Sequence, residues 1–284
     1  MSQEKLPKGD VRREAYLASF SGKEQRLTPA LALIDDLPAL CHTLHDRSET
    51  GSASQMTSAR IVVFDLDGTL VDTAPDLINA LNYVLDREGL PPVPLHAARN
   101  MIGAGARKLI ERGLELEGRF ATVEDISRLT ADFIDYYAAH IADASRPFEG
   151  VEGALDDLQS AGYRFAVCTN KLEWLSKLLL EQLGLSSRFS AICGADTFGV
   201  SKPDPAILQQ TVARAGGDLV SAIMVGDAGP DIGVARRAGI PVIGVEFGYT
   251  EVPIADLKPD RLINHMRELP AAVHSLTSAT QKHP

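Results

Sequence analysis

The chain is poor in cysteine and has no long apolar run, and both shortages narrow what it can be. Its 284 residues include three cysteines, Cys41, Cys168 and Cys193, which show neither paired nor metal-ligand spacing. We find no stretch apolar enough to cross a membrane and no charged-then-apolar secretory leader. We therefore expect a cytoplasmic protein with no membrane partner, in which Cys168 and Cys193 fill small core positions within strand-like runs.

Basic charge is also scarce. The chain has 28 Lys and Arg against 38 Asp and Glu, a net charge of -10, and an isoelectric point near 5.2. A general nucleic-acid-binding protein would carry a broad basic surface, so we expect no nucleic-acid partner. An anionic small substrate is still compatible, because a few cations and a metal can dominate one pocket. With 45% hydrophobic residues, the composition is that of an ordinary globular protein.

Residues 1–58 form a predicted amino-terminal extension, polar at its start and rich in Ser, Thr and Gly over 48–58. We expect it to be poorly ordered apart from one short helix, which Pro38 would strain or break. That helix is predicted from apolar residues at helical spacing: Leu33, Ile34, Leu37, Leu40 and Leu44. Met56 is an alternative natural start, and the extension carries no readable chemistry.

From residue 60 onward, strand-like runs alternate with helical patterns. The predicted strands are Ile61–Asp65, Arg164–Cys168, Ala191–Cys193, Ala222–Gly226, Pro241–Val245 and a short one at Arg261–Ile263. Three predicted helices each stop at a glycine, the usual end signal: Leu172–Leu183, Pro205–Ala215 and Ile232–Ala238. This alternation predicts an α/β fold, a Rossmann-like parallel sheet with helices on both faces.

About a hundred residues separate the first two strands, and their pattern is helical. Residues 73–76 predict a capping box with proline in the first helical turn, and further helices fit Ala104–Leu116 and Val123–Ile141. An insertion of this length is a small domain rather than a loop. We therefore predict an all-helical cap domain at 74–147, a core at 59–73 and 148–275, and a tail at 276–284. Thr73 and Pro147 would lie at the hinges.

Two carboxylates follow the first strand directly, in Asp65-Leu66-Asp67-Gly68-Thr69. Buried carboxylates need a metal, cations or backbone donors, and ligands bind at the carboxyl ends of parallel strands. One carboxylate could attack a substrate while the other moves protons. The simpler interpretation is a β-hairpin, because Asp-Gly between apolar residues is a strong turn signal.

Three further polar segments favour the catalytic interpretation. Thr169–Lys171 follows the second strand, Gly226–Asp231 follows the fourth, and Ser201–Pro205 precedes a helix that Asp204 would cap. Each segment alone could be an ordinary cap, loop or turn. Together, each at its own strand end or helix start, they indicate one site.

Four motifs in this order resemble those of the haloacid dehalogenase superfamily of phosphatases: Asp65–Thr69, Thr169-Asn170, Lys202-Pro203 and Gly226–Asp231. The resemblance covers the chain from about Arg60 to Val273, and the helical insertion looks like that superfamily's first type of cap. Three more segments are similar to bacterial phosphoglycolate phosphatases, namely Val71–Leu77, Met101–Gly105 with Leu109, and Phe247–Tyr249.

The resemblance implies a Mg²⁺-dependent phosphate monoester hydrolase that acts through a phospho-aspartate. In it Asp65 attacks phosphorus, and Asp67 protonates the leaving alkoxide and then deprotonates water. The Asp65 side chain, the Asp67 backbone carbonyl and Asp227 would bind Mg²⁺, with Asp231 supporting the metal through a water. Catalysis would also use Thr169 and Lys202 as donors to the phosphoryl oxygens.

The resemblance further implies a small phosphorylated metabolite as substrate, most specifically 2-phosphoglycolate. Substrate contacts are expected from Thr169, Asn170 and Lys202, and from the insertion through the Gly103 and Gly105 amides and Arg107. Lys108 is an alternative to Arg107, and a solvated basic helix face is an equal interpretation of both.

Several rival functions stay open. A sugar phosphomutase shares all four motifs, and a sugar-phosphate phosphatase or a pyrophosphatase is also compatible. Asp67 argues against a carbon–halogen hydrolase, and the sequence does not establish the cap lysine that a phosphonate hydrolase would need. A non-catalytic regulatory protein on the same fold is the alternative from another class. The oligomeric state, monomer or homodimer, is not predicted.

Overall fold

A computed structural model describes residues 59–280. Its central strand is β1 (Ala59–Phe64), in which Ile61, Val62, Val63 and Phe64 are fully buried. A continuous apolar run of this kind suits a strand covered on both faces. The predicted extension at 1–58, with its short helix and Cys41, lies outside the described residues.

Seven more strands follow β1. They are β2 (Val71–Asp72), β3 (Arg146–Pro147), β4 (Arg164–Cys168), β5 (Ala191–Cys193), β6 (Gly217–Gly226), β7 (Val242–Val245) and β8 (Arg261–Ile263). Six of the eight form one parallel sheet in the order β5-β4-β1-β6-β7-β8. The predicted Rossmann-like sheet is therefore confirmed. The hairpin interpretation of Asp67-Gly68 is wrong, because β1 pairs with β4 and β6, both distant in sequence and parallel to it.

Nine helices accompany the strands within residues 59–280. They are α1 (Ala74–Arg87), α2 (Leu95–Ala98), α3 (Ala106–Leu116), α4 (Val123–Ala139), α5 (Val151–Ser160), α6 (Glu173–Gln182), α7 (Pro205–Arg214), α8 (Gly229–Ala238) and α9 (Leu269–Thr280). None of these helices combines the length and the apolar character needed to cross a bilayer. Three elements begin earlier than predicted: β1 at Ala59 rather than Ile61, β6 at Gly217 rather than Ala222, and α8 at Gly229 rather than Ile232.

Alternate residues of β1 serve two separate apolar layers, as the pleat of a strand requires. Val62 and Phe64 pack in the layer that includes the helical insertion, whereas Ile61 and Val63 pack in the layer that includes α7 and α8. The sheet is thus covered on both faces. The predicted core positions of Cys168 and Cys193 are confirmed, since both are fully buried, unpaired thiols in the second layer.

The helical insertion, residues 74–145, leaves and rejoins the sheet through a two-stranded ribbon. In it Val71 pairs with Pro147 and Asp72 with Arg146, in antiparallel register. The residues predicted as hinges, Thr73 and Pro147, therefore lie beside or within one ribbon. The assignment of the insertion as a separate cap domain stays a prediction.

The predicted capping box at the start of α1 is wrong. Thr73 makes no side-chain capping bond, and its hydroxyl has no hydrogen-bond partner among the described residues. The Asp76 carboxylate instead accepts hydrogen bonds from Ala144 N (3.0 and 3.1 Å), from Ser145 N (2.7 Å) and from Ser145 Oγ (2.6 Å). Asp76, 1% exposed, thereby joins the entry of the insertion to its exit.

Replacement of Asp76 tests this junction. Asp76→Ala should lower the free energy of unfolding by about 3 kcal/mol, because it leaves buried backbone donors without an acceptor. Chemical denaturation measures the loss. Asp86→Ala, an exposed position of the same helix, should change stability by no more than about 0.5 kcal/mol. Equal effects of the two substitutions would contradict the assignment.

Candidate active site

The residues that follow three adjacent strands meet at one edge of the sheet. Asp65 follows β1, Thr169 follows β4, and Asp227 follows β6; β1 lies between the other two. Parallel neighbours end at the same edge, where α/β folds bind ligands. All three side chains are buried. The structure thus brings Asp65 together with two residues that lie more than a hundred positions away in the sequence.

Lys202 enters this edge from the segment before α7. Its Nζ lies 2.7 Å from Asp65 Oδ1 and 2.6 Å from Asp231 Oδ1, and its side chain is 1% exposed. Burial alone would lower the pKa of Lys202, but the two carboxylates outweigh it and hold the pKa above its ordinary value. The ammonium therefore stays charged between two acids.

Asp65, Asp227 and Asp231 form a carboxylate cluster, in which one oxygen from each lies within 4.8 Å of the others. Burial raises the pKa of Asp65 to about 7, although Lys202 opposes the rise, and burial also raises the pKa of Asp227 well above its usual value. When all three acids are ionised, Lys202 balances only one charge. The remaining two negative charges, carried on oxygen ligands, suit a divalent cation such as Mg²⁺.

The backbone wraps closely around these acids at three glycines. A Cβ at Gly68 would lie 2.4 Å from Asp227 Oδ2, one at Gly226 2.3 Å from Asp231 Cβ, and one at Gly248 2.2 Å from Asp227 Cβ. Sequence reasoning gave these glycines no role, although all three lie within quoted motifs. Together they form a glycine cradle, in which the backbone approaches the acids so closely that only glycine fits at each position.

Two donors fix the orientation of Asp227. Thr69 Oγ1 donates to its Oδ1 at 2.8 Å, and the Tyr249 backbone N–H donates to its Oδ2 at 2.6 Å. Thr69 is fully buried. The carboxylate therefore enters the cluster in a set position.

Asp67 does not belong to the carboxylate cluster, and its side chain pairs with Lys171 instead. Lys171 Nζ lies 2.9 Å and 3.1 Å from the two Asp67 oxygens. Burial lowers the pKa of Lys171, but Asp67 and Tyr137 raise it above its ordinary value overall. Sequence reasoning missed Lys171, which it quoted only beside Thr169-Asn170. A cation three residues beyond the end of a strand was the available signal.

Asn170 joins three segments around the site. Its Oδ1 accepts from Lys202 N at 2.9 Å, and its Nδ2 donates to Lys202 O at 3.3 Å and to Gly103 O at 3.4 Å. The side-chain amide is thus engaged by backbone groups. Thr169, beside it, is 2% exposed, and its hydroxyl accepts from Lys171 N at 3.2 Å.

A cavity of about 260 Å³ lies between this edge of the sheet and the helical insertion. Asp65, Asp67, Thr169, Asn170 and Lys171 line the sheet side, and the insertion contributes the predicted substrate contacts Gly103, Gly105 and Arg107. The two glycines have positive φ values of 108° and 88°, which favour glycine.

The two basic residues predicted for substrate contact are both held by their own helix. Arg107 Nε lies 3.0 Å from Glu111 Oε1, and Lys108 Nζ lies 3.2 Å from Glu111 Oε2. Their side chains are 45% and 46% exposed. Both side chains therefore lie on a solvated face of their helix, which is one of the two interpretations that the sequence left open.

A parallel sheet that carries a buried acid cluster at its carboxyl edge, under a helical insertion, is compatible with a hydrolase that transfers a phosphoryl group to water. The chain belongs to the haloacid dehalogenase-like hydrolase family, whose model matches residues 62–245. The predicted superfamily and the predicted enzyme class, a phosphoric monoester hydrolase, are confirmed.

Relatives named phosphoglycolate phosphatase match most of the chain. The Caulobacter vibrioides protein is 47% identical and the Mesorhizobium japonicum protein 45% identical, over 77% and 75% of this chain and 92% and 93% of the relatives. A crystal structure of a predicted phosphoglycolate phosphatase from Haemophilus somnus superposes with a TM-score of 0.70. It is 31% identical, over 76% of this chain and 99% of that one.

The glycine cradle yields a stability prediction. Gly248→Ala should lower the free energy of unfolding by about 3 kcal/mol, because the new Cβ overlaps Asp227 and backbone must move. Gly153→Ala is the matched control, since its Cβ would meet nothing within 4 Å in helix α5 and should stabilise by up to about 1 kcal/mol. Thermal and chemical denaturation compare the two; a neutral Gly248→Ala would refute the close approach.

Proposed function

We propose that this enzyme hydrolyses 2-phosphoglycolate to glycolate and phosphate, with Mg²⁺ and through a phospho-aspartate, in the cytoplasm. The observation that supports this reaction is that two acids close in sequence, Asp65 and Asp67, lie in different environments. Asp65 lies in the carboxylate cluster with Lys202, whereas Asp67 lies outside it with Lys171. The relatives' names support the choice of substrate.

Asp65 is the proposed nucleophile. Its Oδ1 accepts from the Leu66 backbone N–H at 2.7 Å and from Lys202 at 2.7 Å, which orients the carboxylate and favours its ionised form. Attack forms an aspartyl phosphate and releases the leaving group's oxygen. The displacement is thereby divided into two easier steps.

Asp67 is the proposed proton carrier. It would protonate the leaving alkoxide and then remove a proton from the water that cleaves the aspartyl phosphate. General acid–base catalysis of this kind typically raises the rate about a hundred- to ten-thousand-fold. Lys171 holds its carboxylate at the cavity wall. Its position off the cluster leaves its side-chain oxygens outside the set that would hold Mg²⁺.

The remaining proposed roles concern charge on the phosphoryl group. Thr169 hydroxyl and Lys202 ammonium would donate to the phosphoryl oxygens, where negative charge spreads during transfer. Asp65, Asp227 and Asp231 would hold Mg²⁺, together with the predicted Asp67 backbone carbonyl. Bound Mg²⁺ supplies positive charge that stabilises the transferring group.

Turnover against a panel of phosphate monoesters tests the proposal. We expect 2-phosphoglycolate to have the highest kcat/KM in a panel with sugar phosphates, nucleotides and pyrophosphate. Asp65→Asn should lower kcat by about a thousandfold or more, because the amide is a poor nucleophile. A preferred sugar phosphate, or dependence on a bisphosphate activator, would overturn the substrate. An active Asp65→Asn enzyme, with deamidation excluded by mass spectrometry, would overturn the covalent step.

Binding of Mg²⁺ should weaken at acid pH. The raised pKa of Asp65, about 7, means that the folded protein takes up a proton there before the unfolded chain does. The metal-free protein should therefore gain stability as pH falls from 8 towards 6, while protons compete with Mg²⁺. Displacement of one proton predicts about a tenfold weaker apparent affinity per pH unit below 7.

Thermal unfolding with and without Mg²⁺ measures this effect. The rise in Tm at fixed Mg²⁺ should be larger at pH 8 than at pH 6, and Asp227→Asn should reduce it at both. A Tm rise independent of pH, or an enzyme indifferent to chelator, would contradict the assignment.

A further inference from the structure

Lys171 is the buried cation on the leaving-group side of the cavity. Among the described residues that line the cavity, the cationic side chains are Arg107 and Lys171. Arg107 is half exposed and paired with Glu111, whereas the Lys171 side chain is 5% exposed. Lys171 also contacts Asp67, the group proposed to protonate the leaving oxygen. Under the proposed function, its ammonium is therefore next to the place where a leaving group would lie.

The ammonium has room for another acceptor. An ammonium group has three donors, and the two contacts with Asp67 leave one. The centre of the Tyr137 ring also lies close, 4.5 Å from Nζ. The Tyr137 hydroxyl is buried, helps to raise the pKa of Lys171, and has no other hydrogen-bond partner among residues 59–280. Lys171 and Tyr137 both line the cavity, so a ligand there would meet both side chains.

The rest of the cavity wall offers a charged leaving group few other partners than Lys171 and Tyr137. Much of the cavity surface is apolar, contributed by Leu77, Ile102, Leu109, Phe133, Ile134 and Leu175. A carboxylate placed against such surface without a partner would be strongly destabilised. Paired with a buried ammonium it is stabilised, because water does not screen the attraction.

We propose that Lys171, assisted by the Tyr137 hydroxyl, is the specificity-determining residue that binds a carboxylate on the leaving group one carbon from the ester oxygen. The inference rests on the proposed function and deepens it, since it names the residue that distinguishes a carboxylated monoester from an uncharged one. It places this recognition on the sheet side of the cavity rather than on the insertion's arginine.

Lys171 could instead act only by positioning Asp67. The two roles differ in their effect on substrates. Loss of a positioning residue slows every monoester alike, because each one needs a proton on its leaving oxygen. Loss of a carboxylate-binding residue slows the carboxylated ester more. The ratio of kcat/KM values for two matched substrates separates them.

The test compares 2-phosphoglycolate with ethyl phosphate, which has a methyl group where the former has its carboxylate. Lys171→Met should lower the ratio of kcat/KM values, 2-phosphoglycolate over ethyl phosphate, by about tenfold or more, mainly through a higher KM for 2-phosphoglycolate. Lys258→Met, at an exposed lysine that does not line the cavity, should leave the ratio unchanged. Intrinsic reactivity of the two esters cancels between variants.

Two further variants make milder changes at the same site and are less prone to misfolding. Lys171→Arg keeps the positive charge, so its ratio of kcat/KM values should lie between those of the wild type and Lys171→Met. Tyr137→Phe removes only the hydroxyl, keeps the packed ring, and should lower the ratio less than Lys171→Met. Circular dichroism and Tm establish that each variant is folded. If Lys171→Met does not fold, Lys171→Gln takes its place, and an unchanged ratio in a folded Lys171→Gln enzyme overturns the proposal.

Other outcomes overturn the inference in distinguishable ways. Equal losses on both substrates in Lys171→Met would assign Lys171 to positioning alone. An unchanged ratio in Lys171→Met with a lowered one in Arg107→Met would move recognition to the insertion. In both cases a wild-type preference for 2-phosphoglycolate preserves the proposed function. A wild-type enzyme without that preference overturns the proposed substrate and this inference together.

Discussion

The Lys202 ammonium, shared between Asp65 and Asp231, is the interaction on which the site depends. Three buried carboxylates within a few ångströms would repel one another and take up protons if no cation stood among them. Lys202 offsets part of that repulsion, and the residual negative charge would suit a divalent cation. The segment before α7 must therefore reach the end of β1, and Asn170 binds both backbone groups of Lys202 to hold it there.

The same acid cluster is joined to the helical insertion through one residue. Tyr249 donates its backbone N–H to Asp227, while its hydroxyl donates to Asp72 on β2 and accepts from Ala74 N at the start of α1. The Asp76 junction then connects this entry to the exit of the insertion. The cavity wall supplied by the insertion is thus anchored to the residues that would hold the metal, so that cavity and cluster form one structural unit.

The errors of sequence interpretation share a physical origin. The strands were predictable because a run buried on both faces must be apolar, whatever its neighbours. The capping box at Thr73 failed because Asp76 satisfies Ala144 and Ser145, which lie far away in sequence but close in space. Lys171 was overlooked because its importance comes from Asp67 across 104 positions of chain. Arg107 pairs with Glu111 on its own helix and also lines the cavity, so its substrate contact stays a prediction.

By itself, the sequence determined the parallel α/β sheet, the helical insertion after the first strand and the candidate site residues at the strand ends. These features follow from local sequence, because the spacing of apolar residues and the charges that follow an apolar run can both be read from a short stretch of chain. Only the tertiary structure decided that Asp65 and Asp67 have different partners, that three glycines admit the acids, and that Lys171 and Tyr137 form one wall of the cavity. Those facts depend on contacts between distant segments, and such contacts arise only when the sheet order brings the strand ends together.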